Sequence, residues 1–210
     1  MVERYELRNM VEAEQIEFGK LLRRLTPDQW ETPSLCAKWT VHETVIHIAM
    51  HAHTNGRERV GDALRGLRRD EDPSMTAGRG RSTDELIAYL ESPARLGSSR
   101  FDILTQLSEL VIHQQDVRRP LGADRTIPAD RLGVVLDFGV AVGGLTWTMA
   151  FSRRRAKGVR LVAPDINWSV GLGPEVRGPG EAILMALNGR TAALSDLEGD
   201  GVPVLAGRMP

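Results

Sequence analysis

A carboxylate and an imidazole one helical turn apart, set in an apolar run, constrain this chain more than any other feature. They are Glu109 and His113 in Glu109-Leu110-Val111-Ile112-His113. Positions i and i+4 of a helix share a face, so both side chains point the same way. Burying such a pair is costly unless something neutralises it. A second apolar segment, Thr40 to His51, brings another imidazole at His47. A divalent cation held by His47, Glu109 and His113 would satisfy all three groups. Three protein ligands with an open position is the pattern of a catalytic zinc; closed four-ligand sets are structural. The residues alone leave two alternatives open. His51 stands at i+4 from His47, so His47, His51 and His113 form a rival set. Glu109 and His113 could also be an ordinary solvated helical pair with no metal at all.

The single cysteine among 210 residues rules out an intrachain disulfide and a cysteine-rich zinc finger. Twenty-seven Lys and Arg against 28 Asp and Glu leave a net charge of −1, which argues against a general nucleic-acid binder. The charged start, Met1-Val2-Glu3-Arg4-Tyr5-Glu6, has no apolar signal core and reads as cytoplasmic. The longest apolar stretch, Leu132 to Phe151, is broken by Asp137 and rich in Gly. It reads as a buried helix, and no membrane span is expected.

Helical spacing of Leu7, Met10, Val11, Phe18, Leu21, Leu22 and Leu25 predicts a first helix over 7–25, punctuated by Thr26-Pro27-Asp28. Thr40 and Glu43 have the form of a capping box opening a helix to about Ala52, and Ser82 and Glu85 open another that stops near Pro93. Residues 57–81 begin with a segment of helical character, and Arg68 to Arg81 reads as an exposed, mobile loop. A helix from Ser98 or Ser99 runs to about Arg119, before Pro120 and Gly122. A long apolar helix follows from Asp130 to about Phe151. After Lys157 the texture changes. Strands are expected at Val159–Ala163, Asn167–Leu172 and near Val204-Leu205, with a helix from Ala182 to Asn188 and a turn at Gly199-Asp200-Gly201. The expected organisation is a helical bundle over 1–155 and a small α+β region over 156–210 packed on it.

Pro33-Ser34-Leu35-Cys36-Ala37-Lys38-Trp39-Thr40-Val41-His42-Glu43 with His47 resembles the N-terminal motif of the mycothiol-dependent maleylpyruvate isomerase family. Glu109-x-x-x-His113-x-x-Asp116-x-Arg118-Arg119-Pro120-Leu121-Gly122 resembles its second motif. The segment from Val159 through Trp168, Gly173-Pro174-Glu175, Gly189-Arg190 and Gly199-Asp200-Gly201 is similar to its small C-terminal region. Lys38 departs from the Gly that many relatives carry before the Trp. The resemblance implies a mainly α fold: a DinB-like metal-binding four-helix bundle with a small C-terminal α/β segment. It implies zinc on His47, Glu109 and His113. It also implies the thiol cofactor mycothiol, and a substrate-binding role for Arg190.

Other residues carry plainer readings. Cys36 is expected to be a small buried hydrophobe. Asp116 either accepts from a ligand imidazole or pairs with Arg118 or Arg119, the second being preferred. His42 reads as an exposed first-turn residue, and His53 as a cation at a helix end. Trp39, Trp147 and Trp168 read as core anchors. Without the resemblance, Arg190 is a favourable charge after a helix.

The functional expectation is a metal-dependent isomerase or S-transferase that uses a small-molecule thiol on a small electrophile. Two alternatives stand beside it. One is a hydrolase using zinc-bound water on the same site; the other is a non-catalytic, metal-stabilised binding or regulatory module. A homo-oligomer is compatible with the sequence.

Overall fold

The computed structural model describes residues 2–36, 39–53, 73–97, 99–141 and 147–209, apart from the side chains of 73 and 147–151. The chain divides into two compact units, Met1–Asp124 and Arg125–Pro210.

The first unit contains α1 (Arg4–Leu22), α2 (Pro27–Trp30), α3 (Val41–His51), α4 (Pro73–Gly78), α5 (Thr83–Glu91) and α6 (Arg100–Arg118). Helix α1 packs on α5 and α6, and α3 packs on the same two, which closes a four-helix bundle. The starts of these helices are chemically defined. Glu43 N–H donates to Thr40 Oγ1 at 3.2 Å, and Thr40 N–H donates to Glu43 Oε2 at 2.9 Å. Ser82 and Glu85 exchange the same pair of bonds at the start of α5. Each box satisfies amide donors that a helix leaves without partners in its first turn. Between the helices lie Leu7, Val11, Phe18 and Leu22 of α1, Val45 and Ile48 of α3, Leu86 and Leu90 of α5, and Ile103, Leu107 and Leu110 of α6.

Helix α6 is the centre of this unit. Every residue from Thr105 to Arg118 is buried. A helix enclosed on all sides must have its polar groups answered by neighbours. Toward α1, Gln114 Nε2 donates to both Glu14 O (3.1 Å) and Glu14 Oε2 (2.8 Å). Arg118 donates to Gln114 Oε1 and to Glu17 Oε1. Glu109, His113 and Asp116 belong to another face of the same helix.

The second unit contains α7 (Ala129–Ala141), α8 (Trp147–Ala156), β1 (Arg160–Ala163), β2 (Trp168–Val170), β3 (Glu175–Arg177), α9 (Gly180–Leu187) and α10 (Val202–Ala206). The sheet order is β2-β1-β3. Strands β1 and β2 are antiparallel, with Leu161 opposite Val170, and β1 and β3 are parallel, with Leu161 opposite Val176. Helix α9 is buried from Ala182 to Leu187 and packs on α7, α8 and β1. The 199–201 turn requires Gly199, which sits at φ +103° with Glu175 O only 2.4 Å from where a Cβ would lie.

Several expectations are revised. Val204-Leu205 lies in helix α10, not a strand; Pro203 in its first turn presets helical φ and gives no ladder N–H. Strand β3 went unpredicted: three residues between Pro174 and Gly178 are too few for a period to show. Thr26-Pro27-Asp28 is the capped start of a short helix. The described end of the expected 68–81 loop forms α4, while residues 68–72, like the helical character expected from 57, lie outside the described residues. The expected 130–151 helix is described as α7 and α8, with 142–146 between them outside the described residues, as is the Trp147 side chain. Helices α7 and α8 group with the C-terminal strands in the second unit. Among the described residues no helix is long and apolar enough to cross a membrane.

Candidate metal centre

Helices α3 and α6 bring His47, Glu109 and His113 together. Their ligand atoms all lie within 4.8 Å of one another. Glu109 Oε2 is 3.5 Å from His47 Nε2 and 3.2 Å from His113 Nε2. The Glu109 and His113 side chains are about 10% and 7% exposed, and that of His47, the most exposed of the three, 16%.

The three residues are held by their surroundings. Asp116 Oδ2 accepts from His113 Nδ1 at 2.8 Å, leaving Nε2 to face Glu109. Ser74 Oγ lies 3.4 Å from His47 Nδ1. Each imidazole thus has one nitrogen engaged behind it and the other aimed at the carboxylate. That is how ligating histidines are usually oriented. Asp116 therefore makes the contact that the sequence reading weighed second.

The electrostatics follow. Burial, the largest influence on Glu109, pushes its carboxyl up, but hydrogen bonds from His113 and His47 hold it well below the usual range. Burial likewise pushes His113 down, yet contacts with Asp116, Cys36 and Glu109 raise it well above the usual histidine value. The geometry supports both directions: only an imidazolium can donate from both ring nitrogens to the two carboxylates.

The connector before α3 arrives at the same place. Leu35 N–H donates to Asp116 O at 3.0 Å, and Ser34 N–H to Trp39 O at 2.9 Å. Thr44 Oγ1 donates to Ser34 Oγ at 2.9 Å. These bonds set the Trp39 ring 4.9 Å from the His47 ring and 6.5 Å from that of His113. Trp39 is thus a half-buried wall of the site rather than a core anchor. Cys36 is half-exposed, not fully buried, and its thiol joins His113 and Asp116 in a second close group. Neither position was legible in the sequence, because the connector's path is set by contacts to α6.

The remaining sequence-singled residues lie elsewhere. His51 Nδ1 bonds Gln106 Oε1 at 3.0 Å, and its ring stacks on His47 at 5.7 Å. His42 meets Trp30 edge-on, and His53 bonds Tyr89 O at 2.7 Å. In the second unit, half-buried Arg190 donates to Asn188 O at 2.7 Å, and Trp168 donates from Nε1 to Asp137 Oδ1 at 2.8 Å.

The donor set fits a divalent cation: two imidazole nitrogens and a carboxylate oxygen, converging in a largely buried position. Asp116→Asn is expected to lower zinc affinity by about tenfold, because the ligand loses an anionic anchor but keeps its coordinating atom. Competition with a chromophoric chelator measures it. An unchanged affinity would make Asp116 a fold residue only.

Residues 11–96 match the family model described as the mycothiol maleylpyruvate isomerase N-terminal domain. Two solved structures are similar to the chain. One is a crystal structure of the mycothiol-dependent maleylpyruvate isomerase (TM-score 0.55), the other of its histidine-to-alanine mutant (TM-score 0.60). Each is 15% identical and covers 95% of this chain and 93% of its own. At that identity the likeness shows the fold: a mainly helical bundle with a small C-terminal α/β segment. No curated protein matches the sequence.

Proposed function

We propose that this chain, whose residues 11–96 belong to the mycothiol maleylpyruvate isomerase N-terminal domain family, is a metal-dependent enzyme using mycothiol for isomerisation or S-transfer on a small electrophile. The observation that carries the reading is the buried convergence of His47, Glu109 and His113 within 4.8 Å. In this reading those three residues hold a divalent cation, zinc being the first candidate for an N,N,O set. The cation would supply stabilisation of a deprotonated sulfur at neutral pH.

The chain's own groups do the rest. Asp116 fixes the His113 ring through Nδ1. Trp39 forms one wall of the site, its ring 4.9 Å from that of His47. Arg190 is assigned to an anionic group of the substrate, as the family resemblance implies. Its planar guanidinium suits a carboxylate.

Cobalt substitution tests the reading. Mycothiol added to the cobalt-loaded protein is expected to produce an intense sulfur-to-metal charge-transfer band and to release a proton. Arg190→Ala is expected to keep that band while weakening the organic substrate. A cobalt spectrum unchanged at saturating mycothiol defeats the thiol mechanism.

A further inference from the structure

We propose that Cys36, His113 and Asp116 form a second cation site, for a thiophilic divalent ion, on the Nδ1 side of the His113 ring. The first centre lies on the Nε2 side. One ligand atom from each of the three residues lies within 4.8 Å of the others. Asp116 Oδ2 is 2.8 Å from Nδ1, whereas Glu109 Oε2 is 3.2 Å from Nε2. The Cys36 thiol hydrogen-bonds the same ring. One imidazole therefore belongs to two donor sets, N,N,O through Nε2 and S,N,O through Nδ1. The proposal rests on the metal reading above, and its test separates the two.

The sulfur is held in place by backbone contacts. Cys36 N–H donates to Ser34 Oγ at 3.1 Å, and Cys36 O accepts from Trp39 N–H at 3.0 Å. Leu35 N–H ties the preceding residue to Asp116 O on α6 at 3.0 Å. Ser34 Oγ in turn accepts from Thr44 Oγ1 of α3 at 2.9 Å. The connector is thus fastened to both helices that carry the first centre. Cys36 is half-exposed, while His113 and Asp116 are buried, so the sulfur is the most exposed member of the group.

The chemistry narrows the occupant. Thiolate, imidazole and carboxylate together suit a borderline or soft cation, whereas magnesium and calcium take oxygen ligands. A tetrahedral ion about 2.0–2.3 Å from each donor holds the donors roughly 3.5 Å apart. Asp116 and the ring need to part by less than about 1 Å to admit it. The charges also balance, as buried ions require. With His113 bridging as an imidazolate, the ring, Glu109, Asp116 and the Cys36 thiolate supply the negative charge of two dications. The incoming ion displaces one proton from the thiol and one from Nδ1. It fills after the first, because it meets a positive neighbour across a single ring.

The test is cadmium, titrated into the full-length protein with no added thiol. Equivalents retained after dialysis and the ultraviolet charge-transfer band of the cadmium–sulfur bond are the two readouts. Wild type is expected to bind two equivalents, the band growing only with the second. Cys36→Ser, a change of little volume at a half-exposed position, is expected to bind one equivalent and show no band. His47→Ala is expected to keep the band. Alkylation of Cys36 in wild type carries the test should Cys36→Ser not fold, as judged by its melting curve. It is expected to slow about tenfold at cadmium ten times its Kd. Two equivalents bound by Cys36→Ser, or alkylation that cadmium does not slow, overturns the second site. So does a single equivalent in wild type whose band disappears in His47→Ala, which would make Cys36 a fourth ligand of the first centre. A single equivalent whose band survives His47→Ala would keep the sulfur site and overturn the metal reading instead.

Discussion

Glu109→Gln is expected to lower zinc affinity by more than about 100-fold, while the protein still folds. Loss of an outer hydrogen-bonding partner of a metal ligand already costs about 10–100-fold, and here an anionic ligand itself is replaced by a neutral amide. Glu109 Oε2 is the atom that His47 and His113 both face, at 3.5 and 3.2 Å. Removing its charge leaves two imidazoles with nothing between them to offset a dication. Gln keeps the shape and the hydrogen-bonding reach, so packing in the bundle is preserved. His51→Ala is the control and should retain full occupancy. Its Nδ1 is engaged with Gln106, and its ring stacks on that of His47, outside the group of three whose ligand atoms converge. Elemental analysis of the two purified variants decides between the rival sets. Full zinc in Glu109→Gln together with loss in His51→Ala would replace Glu109 by His51 as the third ligand.

What could be read beforehand was whatever is encoded locally. The i, i+4 spacing of Glu109 and His113 specified a shared face. The Thr40–Glu43 box specified where α3 begins, and hence that His47 lies on that helix. Elements with clear stops, such as α6 before Pro120, were placed within a residue or two. What could not be read depends on long-range contact. Helix α6 is buried on every face, so its polar residues give no amphipathic stripe, and the sequence does not say which face meets α1 and which meets α3. Asp116 is the clearest case: with Arg118 and Arg119 nearby in sequence, surface pairing was the simpler reading, but its Oδ2 bonds His113 in the interior. Trp39 and Cys36 sit in a connector whose course is tied to α6 by the Leu35–Asp116 bond. In the C-terminal unit, short elements such as β3 and α10 are defined by neighbours more than by their own residues.

Zinc affinity is expected to rise about tenfold per pH unit through neutrality, with stability of the metal-free protein moving the other way. Asp116 and Glu109, contacting the two nitrogens of His113 at 2.8 and 3.2 Å, keep the ring protonated above its ordinary value of 6.5. A group raised in this way stabilises the folded chain fully below the unfolded value, and that contribution is lost as pH climbs through the folded value. Glu109 is depressed below its ordinary 4.5, so its contribution is present above that value and lost as pH falls through the folded one. In the metal-free protein the two contributions therefore coexist from about pH 4.5 to 6.5, and the His113 part fades at higher pH. Zinc competes with the proton on His113 Nε2, so each binding event must first expel it. Affinity should climb until the folded value is passed and then level off. The gap in melting temperature between zinc-loaded and chelated protein should widen over the same interval. Calorimetry in two buffers of different ionisation enthalpy counts the released proton, and melting curves from pH 5 to 9 follow the gap. A gap that is flat across that range would mean that His113 is already neutral in the metal-free chain, and that the imidazolium flanked by two carboxylates is the wrong description of the site.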